Sequence, residues 1–503
     1  MSLLRDPSDY LPIVPGLVFA VLVFTIYTIT HSYPTTHAGL YFTIAEEISN
    51  NGYLLPETIP YYTADGVPFA YPPLMFYVIA LLTDIGLSQI FLMQFVPGLV
   101  MVLCVVPFYL IASELLQSKI HAGFAASLYA LASHTFVTYL GSGGIVRGPA
   151  VLFFLCGTYA AIQVFMNDDR RWLVPAGIIF GATLLTHPSH AVRLGLTYVL
   201  LFAVFEQSID GFVEGISTAV IGFGIAAPWL VAVISMHGWS PFIAAFGTFQ
   251  EFSSQAGLGA FINNVAAYQG AFGQPTTSAP TGQIIWYVTI LGSVHLVAKR
   301  RLFLPLWFLL TGVVGAAVNL ALYAQTMIAA VFFLDAFSSI PEFLQSRKVS
   351  YESIILVLFV CSIIVPTAAF SMNTAVDMRE TLSDDSMEAM EWVSENTESD
   401  ATFIVTGGTG EWFPLFTGRT ILISRWGAEW DGPDEYRNQN QMWSRVNSCQ
   451  TADCLQELMQ SNNLQPDYIV VSEESLRESL SESEQFNQRY TTSEIVVYKT
   501  VGL

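Results

Sequence analysis

Apolar runs of about twenty residues, broken by short polar stretches, recur along most of this chain, and a helix of that length matches a hydrocarbon core about 30 Å thick. They fall at about 11–30, 90–113, 120–140, 149–166, 172–187, 190–206, 212–236, 282–298, 302–321, 323–341 and 351–371, with a shorter run at 73–88. The pattern predicts a mainly α fold, a polytopic transmembrane helical bundle of 11–12 spans. The 73–88 run is short for the core and predicts a re-entrant or in-plane helix. After about residue 375 the texture becomes mixed and globular. "DDSMEAMEWVSENT" and "DCLQELMQSNN" read as helices, and "ATFIVTGG", "RTILISR", "PDYIVVS" and "SEIVVYKTV" as strands. The expected organisation is a membrane domain over 1–375, followed by a small soluble α/β domain over 376–503.

Composition agrees with this division. Of 503 residues 53% are hydrophobic and only 12% charged, against about 25% charged in soluble domains. The formal net charge is −21, and the tail from Asp377 onward holds 23 acidic residues against 8 Lys plus Arg, a net −15. That excess argues against nucleic acid or an anionic membrane surface as a partner, because both are held by clustered Lys and Arg. It is the pattern of adaptation to high salt, as in a halophile.

Charge also orients the chain. "KRR" at 299–301 and Arg347 with Lys348 mark the inner side. The first polar segment (31–72), the turns at 141–147 and 186–190, the long loop at 237–280 and the acidic tail then fall outside. The expectation is a multi-pass cell-membrane protein with an extracytoplasmic C-terminal domain. "MSLLRDPSDY" has no cleavage pattern, so the first run reads as an anchor. Cys104, Cys156 and Cys361 lie in apolar runs as packing residues. Cys449 and Cys454 are spaced to close a small disulfide loop if the tail meets an oxidising compartment.

Chemistry-bearing residues concentrate at the outer side. "HAGLYFTIAEEISNNG" predicts a helix ending at Asn-Asn-Gly and lying along the membrane surface, with His37, Glu46 and Glu47 near the headgroups. Glu57 and Asp65 follow in an irregular loop, and Tyr71-Pro-Pro marks re-entry into lipid. "GSGGIVRG" places glycines and Arg147 at a helix start, an arrangement suited to cradling phosphate. "THPSHAVR" sets His187, His190 and Arg193 at the membrane boundary, where ionisable groups are expensive and functional. Asp335, within an apolar run, predicts a paired or cavity-facing carboxylate. Glu251 stands alone among aromatics in the 237–280 loop. In the tail, Glu411 beside Trp412, with Trp426 and Trp430 further on, forms an aromatic-plus-carboxylate pattern that suits sugar binding.

A first span, an outer segment carrying "GLYFTIAEEISNNGY", and then Tyr-Pro-Pro-Leu opening an apolar aromatic run resemble the GT-C membrane glycosyltransferases. The branch is that of protein O-mannosyltransferases and lipid A aminoarabinose transferases. The likeness covers the first 200 residues best, together with the layout of many spans before an outer soluble domain. It implies a hexosyl- or pentosyltransferase moving a sugar from a polyprenyl-phosphate donor to a glycan, lipid or protein acceptor, by inversion with a carboxylate general base. A lipid-linked oligosaccharide transferase or ligase, and a transporter or flippase of lipid-linked sugars, are the alternatives. Family members carry an acidic residue just after the first span, where this chain has Thr35, Thr36 and His37. The catalytic role therefore falls to Asp65, Glu46, Glu47 or His37. Donor phosphate falls to Arg147, His187, His190, Arg193 and Tyr71, and acceptor or sugar to Glu251, Glu411 and Trp412. His37 with Glu47 are the residues to hold a divalent metal such as Mg or Mn.

Overall fold

A computed structural model describes residues 7–141, 143–245, 280–313, 318–338 and 351–501. The fold is mainly helical, with a small sheet near the C-terminus. Among the described residues, five helices are long and apolar enough to cross a membrane: Tyr10–Thr30, Gln89–Leu116, Gly144–Phe165, Pro188–Glu206 and Ile209–His237. Three further expected runs form the helices Pro280–Ala298, Val318–Ser338 and Tyr351–Val376, of 19, 21 and 26 residues, and the rest form shorter pieces. The 120–140 run divides at Ala132, whose extended backbone (ψ 108°) separates the helices Lys119–Leu131 and Ser133–Gly141. The 73–88 run forms the 11-residue helix Leu74–Asp84, about 16 Å long and too short to cross. Arg347 and Lys348 lie outside the described residues.

The chain forms two compact units. One draws on Met1–Ser32, Gln94–Ala227 and Gln255–Met378; the other on Tyr33–Met93, Pro228–Ser254 and Arg379–Leu503.

The first unit is the helical one. Its core joins Val23, Tyr27, Phe108, Tyr129, Phe154 and Trp307, all 1% exposed or less. With no water in hydrocarbon, association relies on close packing and internal hydrogen bonds. Gly177 and Gly181 let the helix Leu173–Leu184 approach Ile209–His237 so closely that a β-carbon on Gly177 would lie 2.7 Å from Ile221. Trp307 Nε1 donates to Thr197 Oγ1 at 3.1 Å, and the Ser371 hydroxyl donates to the Leu131 carbonyl. Asp335 is paired, as its place in an apolar run predicts, with Lys299 Nζ at 3.0 Å and with His295 and His121 at 3.3 and 3.6 Å.

The second unit joins the first polar segment to the acidic tail. The helix Gly39–Asn50 ends, as the Asn-Asn-Gly signal predicts, at Gly52 with φ +65°. Leu40, Phe42, Ile44 and Ile48 are buried, and the helix packs on Leu74–Asp84 and Phe413–Thr417. Strands β1 (Thr58–Ile59) and β2 (Val67–Pro68) pair as a small antiparallel ribbon, with Asp65 exposed in the turn between them. The tail supplies β3 (Thr402–Val405), β4 (Thr420–Ile421), β5 (Tyr468–Val471), β6 (Phe486–Thr491) and β7 (Val496–Thr500). They form a mixed sheet in the order β4-β3-β5-β7-β6, parallel from β4 to β5 and antiparallel from β5 to β6. All four β5 residues are buried, as a continuous apolar run predicts for an inner strand. The edge strand β6 alternates too weakly to be seen in the sequence. The polar helix Pro433–Val446 was also hidden, because it buries only Gln439, Met442 and Val446. Cys449 and Cys454 are joined as a disulfide.

Candidate functional site

Each unit gathers a cluster of side chains expected to carry chemistry. In the first unit the helix Leu173–Leu184 ends before His187, and Pro188 opens the next helix at a position where its missing N–H is not needed. His187 and His190 lie edge to face, with ring centroids 4.6 Å apart. Arg193 Nη1 donates to Ser189 Oγ at 3.1 Å, and Ser189 Oγ lies 2.9 Å from His187 Nδ1. Ser189 Oγ thus links the guanidinium to the imidazole. Arg147 acts electrostatically on both imidazoles. It is exposed, one turn into the helix Gly144–Phe165. Gly143 starts that helix at φ +66°, and a β-carbon on Gly144 would fall 1.5 Å from the Tyr139 carbonyl oxygen, so both positions exclude a side chain. His190 Nδ1 is buried without a hydrogen-bond partner among the described residues. Three residues expected to meet phosphate, His187, His190 and Arg193, are thus gathered at one helix start, with the charge of Arg147 in electrostatic reach.

In the second unit the first polar segment and the tail meet at Glu411. A short 3-10 turn, Gly408–Glu411, carries this carboxylate into the interior, where its side chain is 3% exposed. Gly39 lies so near that a β-carbon there would be 2.1 Å from the Glu411 carbonyl oxygen, and Tyr62 donates to the same oxygen at 2.7 Å. His37 Nδ1 is 3.6 Å from Glu411 Oε2. Burial first, and the Arg425 charge second, lower the His37 pKa from 6.5 to about 4. At neutral pH the ring is therefore uncharged, and its approach to Glu411 is that of an imidazole to a carboxylate, not an ion pair. The His37 ring packs on Trp426 at 5.7 Å, and the Arg425 guanidinium sits over Trp426 and Trp443 at 5.2 and 4.1 Å.

Other expected residues are placed as follows. Asp65 is exposed. Glu46 accepts from Gln89 at 2.9 Å, and burial raises the pKa of both Glu46 and Glu47. Among the described residues no hydrogen bond or ion pair joins His37 to either glutamate, and no group of three or more His, Cys, Asp or Glu side chains is placed to hold a metal. Tyr71 belongs to the second unit, donates to Glu429 at 2.6 Å and packs against Trp430 at 4.9 Å. Trp412 is fully buried, bonded through Nε1 to Thr381 at 3.1 Å. Glu251 lies outside the described residues. Arg425 went unnoticed in the sequence; its only signal was its place immediately before Trp426.

Comparison with known proteins gives a consistent picture. The family model for dolichyl-phosphate-mannose-protein mannosyltransferase matches residues 70–232, less than half of the chain. No curated protein sequence matches. The archaeal oligosaccharyltransferase AglB from Archaeoglobus fulgidus, solved with an inhibitory peptide and a dolichol-phosphate, is similar in structure with a TM-score of 0.60 at 13% identity, over 99% of this chain and 75% of that one. ArnT from Cupriavidus metallidurans, bound to undecaprenyl phosphate, gives 0.56 at 12% identity, over 96% of this chain and 97% of that one. Arabinofuranosyltransferase AftD from Mycobacteria gives 0.59 at 12% identity, over 100% of this chain but only 40% of that larger one. The chain is a multi-pass membrane protein built on the fold of the GT-C superfamily of membrane glycosyltransferases.

Proposed function

We propose that the protein transfers a sugar from a polyprenyl-phosphate carrier to an acceptor at the outer face of the membrane. The observation that carries this reading is the cluster of Arg147, His187, His190 and Arg193. The leaving group of such a transfer is an anionic lipid phosphate, and fixed cations placed where its charge develops lower the barrier. Arg147 and Arg193 supply that charge, and a ring N–H of His187 or His190 is a further donor to a phosphate oxygen. AglB and ArnT were solved with polyprenyl phosphates of this class.

The acceptor's proton is assigned to His37. In an inverting transfer the acceptor oxygen attacks the anomeric carbon while the bond to the phosphate oxygen breaks. The phosphate leaves with the electron pair, and a base takes the acceptor's proton. With Nδ1 toward Glu411, the lone pair on Nε2 of a neutral His37 is free for that proton, and the carboxylate then balances the imidazolium. This dyad replaces the first-loop acid that Thr35, Thr36 and His37 displace. Glu46 and Glu47, with raised pKa values, are the reserve bases, and Asp65 is the exposed one. A divalent metal does not fit the described residues, which offer no set of three His, Cys, Asp or Glu ligands. The Cys449–Cys454 disulfide supports an extracytoplasmic tail.

The likeness to AglB favours a second reading, transfer of a whole lipid-linked glycan. Purified protein would be given polyprenyl-phosphate donors carrying one labelled hexose or pentose, and in parallel lipid-linked oligosaccharides. Single-sugar transfer is the expected result; en bloc transfer alone selects the second reading. Tight binding of lipid phosphate with no transfer from any donor overturns both.

A further inference from the structure

A cavity of 290 Å³ opens in the first unit at the end that carries Lys299, Arg300 and Arg301. This end is the one that the positive-inside rule assigns to the cytoplasm, so the cavity is separate from the turns at 141–147 and 186–190. Its lining is two-toned. Leu116, Phe303 and Leu304 are buried and form an apolar floor, while Arg300 and Arg301 stand exposed at the rim. Three consecutive basic residues are a concentration in a chain with only 19 Lys plus Arg. Lys299 is engaged by Asp335, whereas among the described residues neither arginine has a carboxylate partner. Glu114, the acidic residue of the lining, receives a hydrogen bond from Asn167 at 3.4 Å.

The backbone around the cavity is where several helices end. Gln117 and Arg300 adopt φ of +54° and +59°, the left-handed conformation that terminates the helices Gln89–Leu116 and Pro280–Ala298. Val204 and Phe205 come from a π-helical turn, Phe202–Glu206, a local distortion that recurs at functional sites.

We infer that this cavity holds a membrane phospholipid with an anionic headgroup, its phosphate on Arg300 and Arg301 and the first part of an acyl chain on the apolar floor. Basic pockets between helices on the cytoplasmic side of membrane proteins suit such headgroups. A free phosphate would leave the floor in contact with water, so the lipid is the better occupant.

The test is native mass spectrometry of the delipidated full chain titrated with phosphatidylglycerol, phosphatidylcholine or glycerol phosphate. Wild type, R300Q/R301Q and K299Q are compared, with melting temperatures to verify folding. Selective retention of phosphatidylglycerol is expected, weakened by about tenfold or more in R300Q/R301Q and unchanged in K299Q. Equal retention of phosphatidylcholine, undiminished phosphatidylglycerol binding in R300Q/R301Q, or equal binding of glycerol phosphate each overturns the inference.

Discussion

His37 shows how environment sets chemistry at a single residue. Burial and the Arg425 charge hold its pKa at about 4, so the ring keeps its proton-accepting form throughout the physiological range. Two consequences follow in opposite experiments. In kinetics, kcat/KM should stay level from pH 7 to about 5 and fall with a midpoint near 4; an acid limb at 6 to 7 contradicts the assignment. In stability, the unfolded chain takes up a proton near 6.5 that the folded chain refuses until about 4. His37 therefore makes folding less favourable as pH falls through that window, and H37N should flatten the slope. Comparison of the two proteins isolates His37 from Glu46 and Glu47, whose raised pKa values act with the opposite sign. His37 and Glu411 were each visible in the sequence as candidates. Their pairing was not, because no periodicity relates a residue beside the first span to a turn in the tail.

At the scale of elements, close backbone approach decides which sites form. Gly39 opens its helix against the Glu411 carbonyl, and the 2.1 Å separation of a β-carbon from that oxygen leaves no room for alanine. Gly39→Ala should shift the turn that carries Glu411, costing about 2 kcal/mol in stability. Transfer activity should fall further than that loss of folded protein explains. Activity that tracks only the fraction folded would show that the turn does not position a catalytic group. Elements with strong signals were legible, among them the Asn-Asn-Gly helix end, the apolar strand β5 and the long spans. The break at Ala132, the polar helix Pro433–Val446 and the edge strand β6 were not. They depend on packing partners far along the chain, not on local pattern.

At the scale of the whole molecule, the chain places an acidic, disulfide-bearing tail after an apolar bundle whose basic residues concentrate at one end. Reduction, or Cys449→Ser, releases a short loop and should lower the stability of the second unit by about 2 kcal/mol, read by chemical denaturation. If the tail faces outward, protease added to intact cells should cleave it; cleavage only after lysis would reverse the orientation. Labour in the proposed transfer is divided by residue. Arg147 and Arg193 hold the lipid phosphate, and His37 with Glu411 takes the acceptor's proton. The most direct test measures polyprenyl-phosphate binding and sugar transfer on the same preparations of wild type, R147A/R193A and H37A. R147A/R193A should lose binding and transfer together, while H37A should bind the lipid normally and fail to transfer. Undiminished binding by R147A/R193A, or wild-type transfer by H37A, would contradict this division of labour.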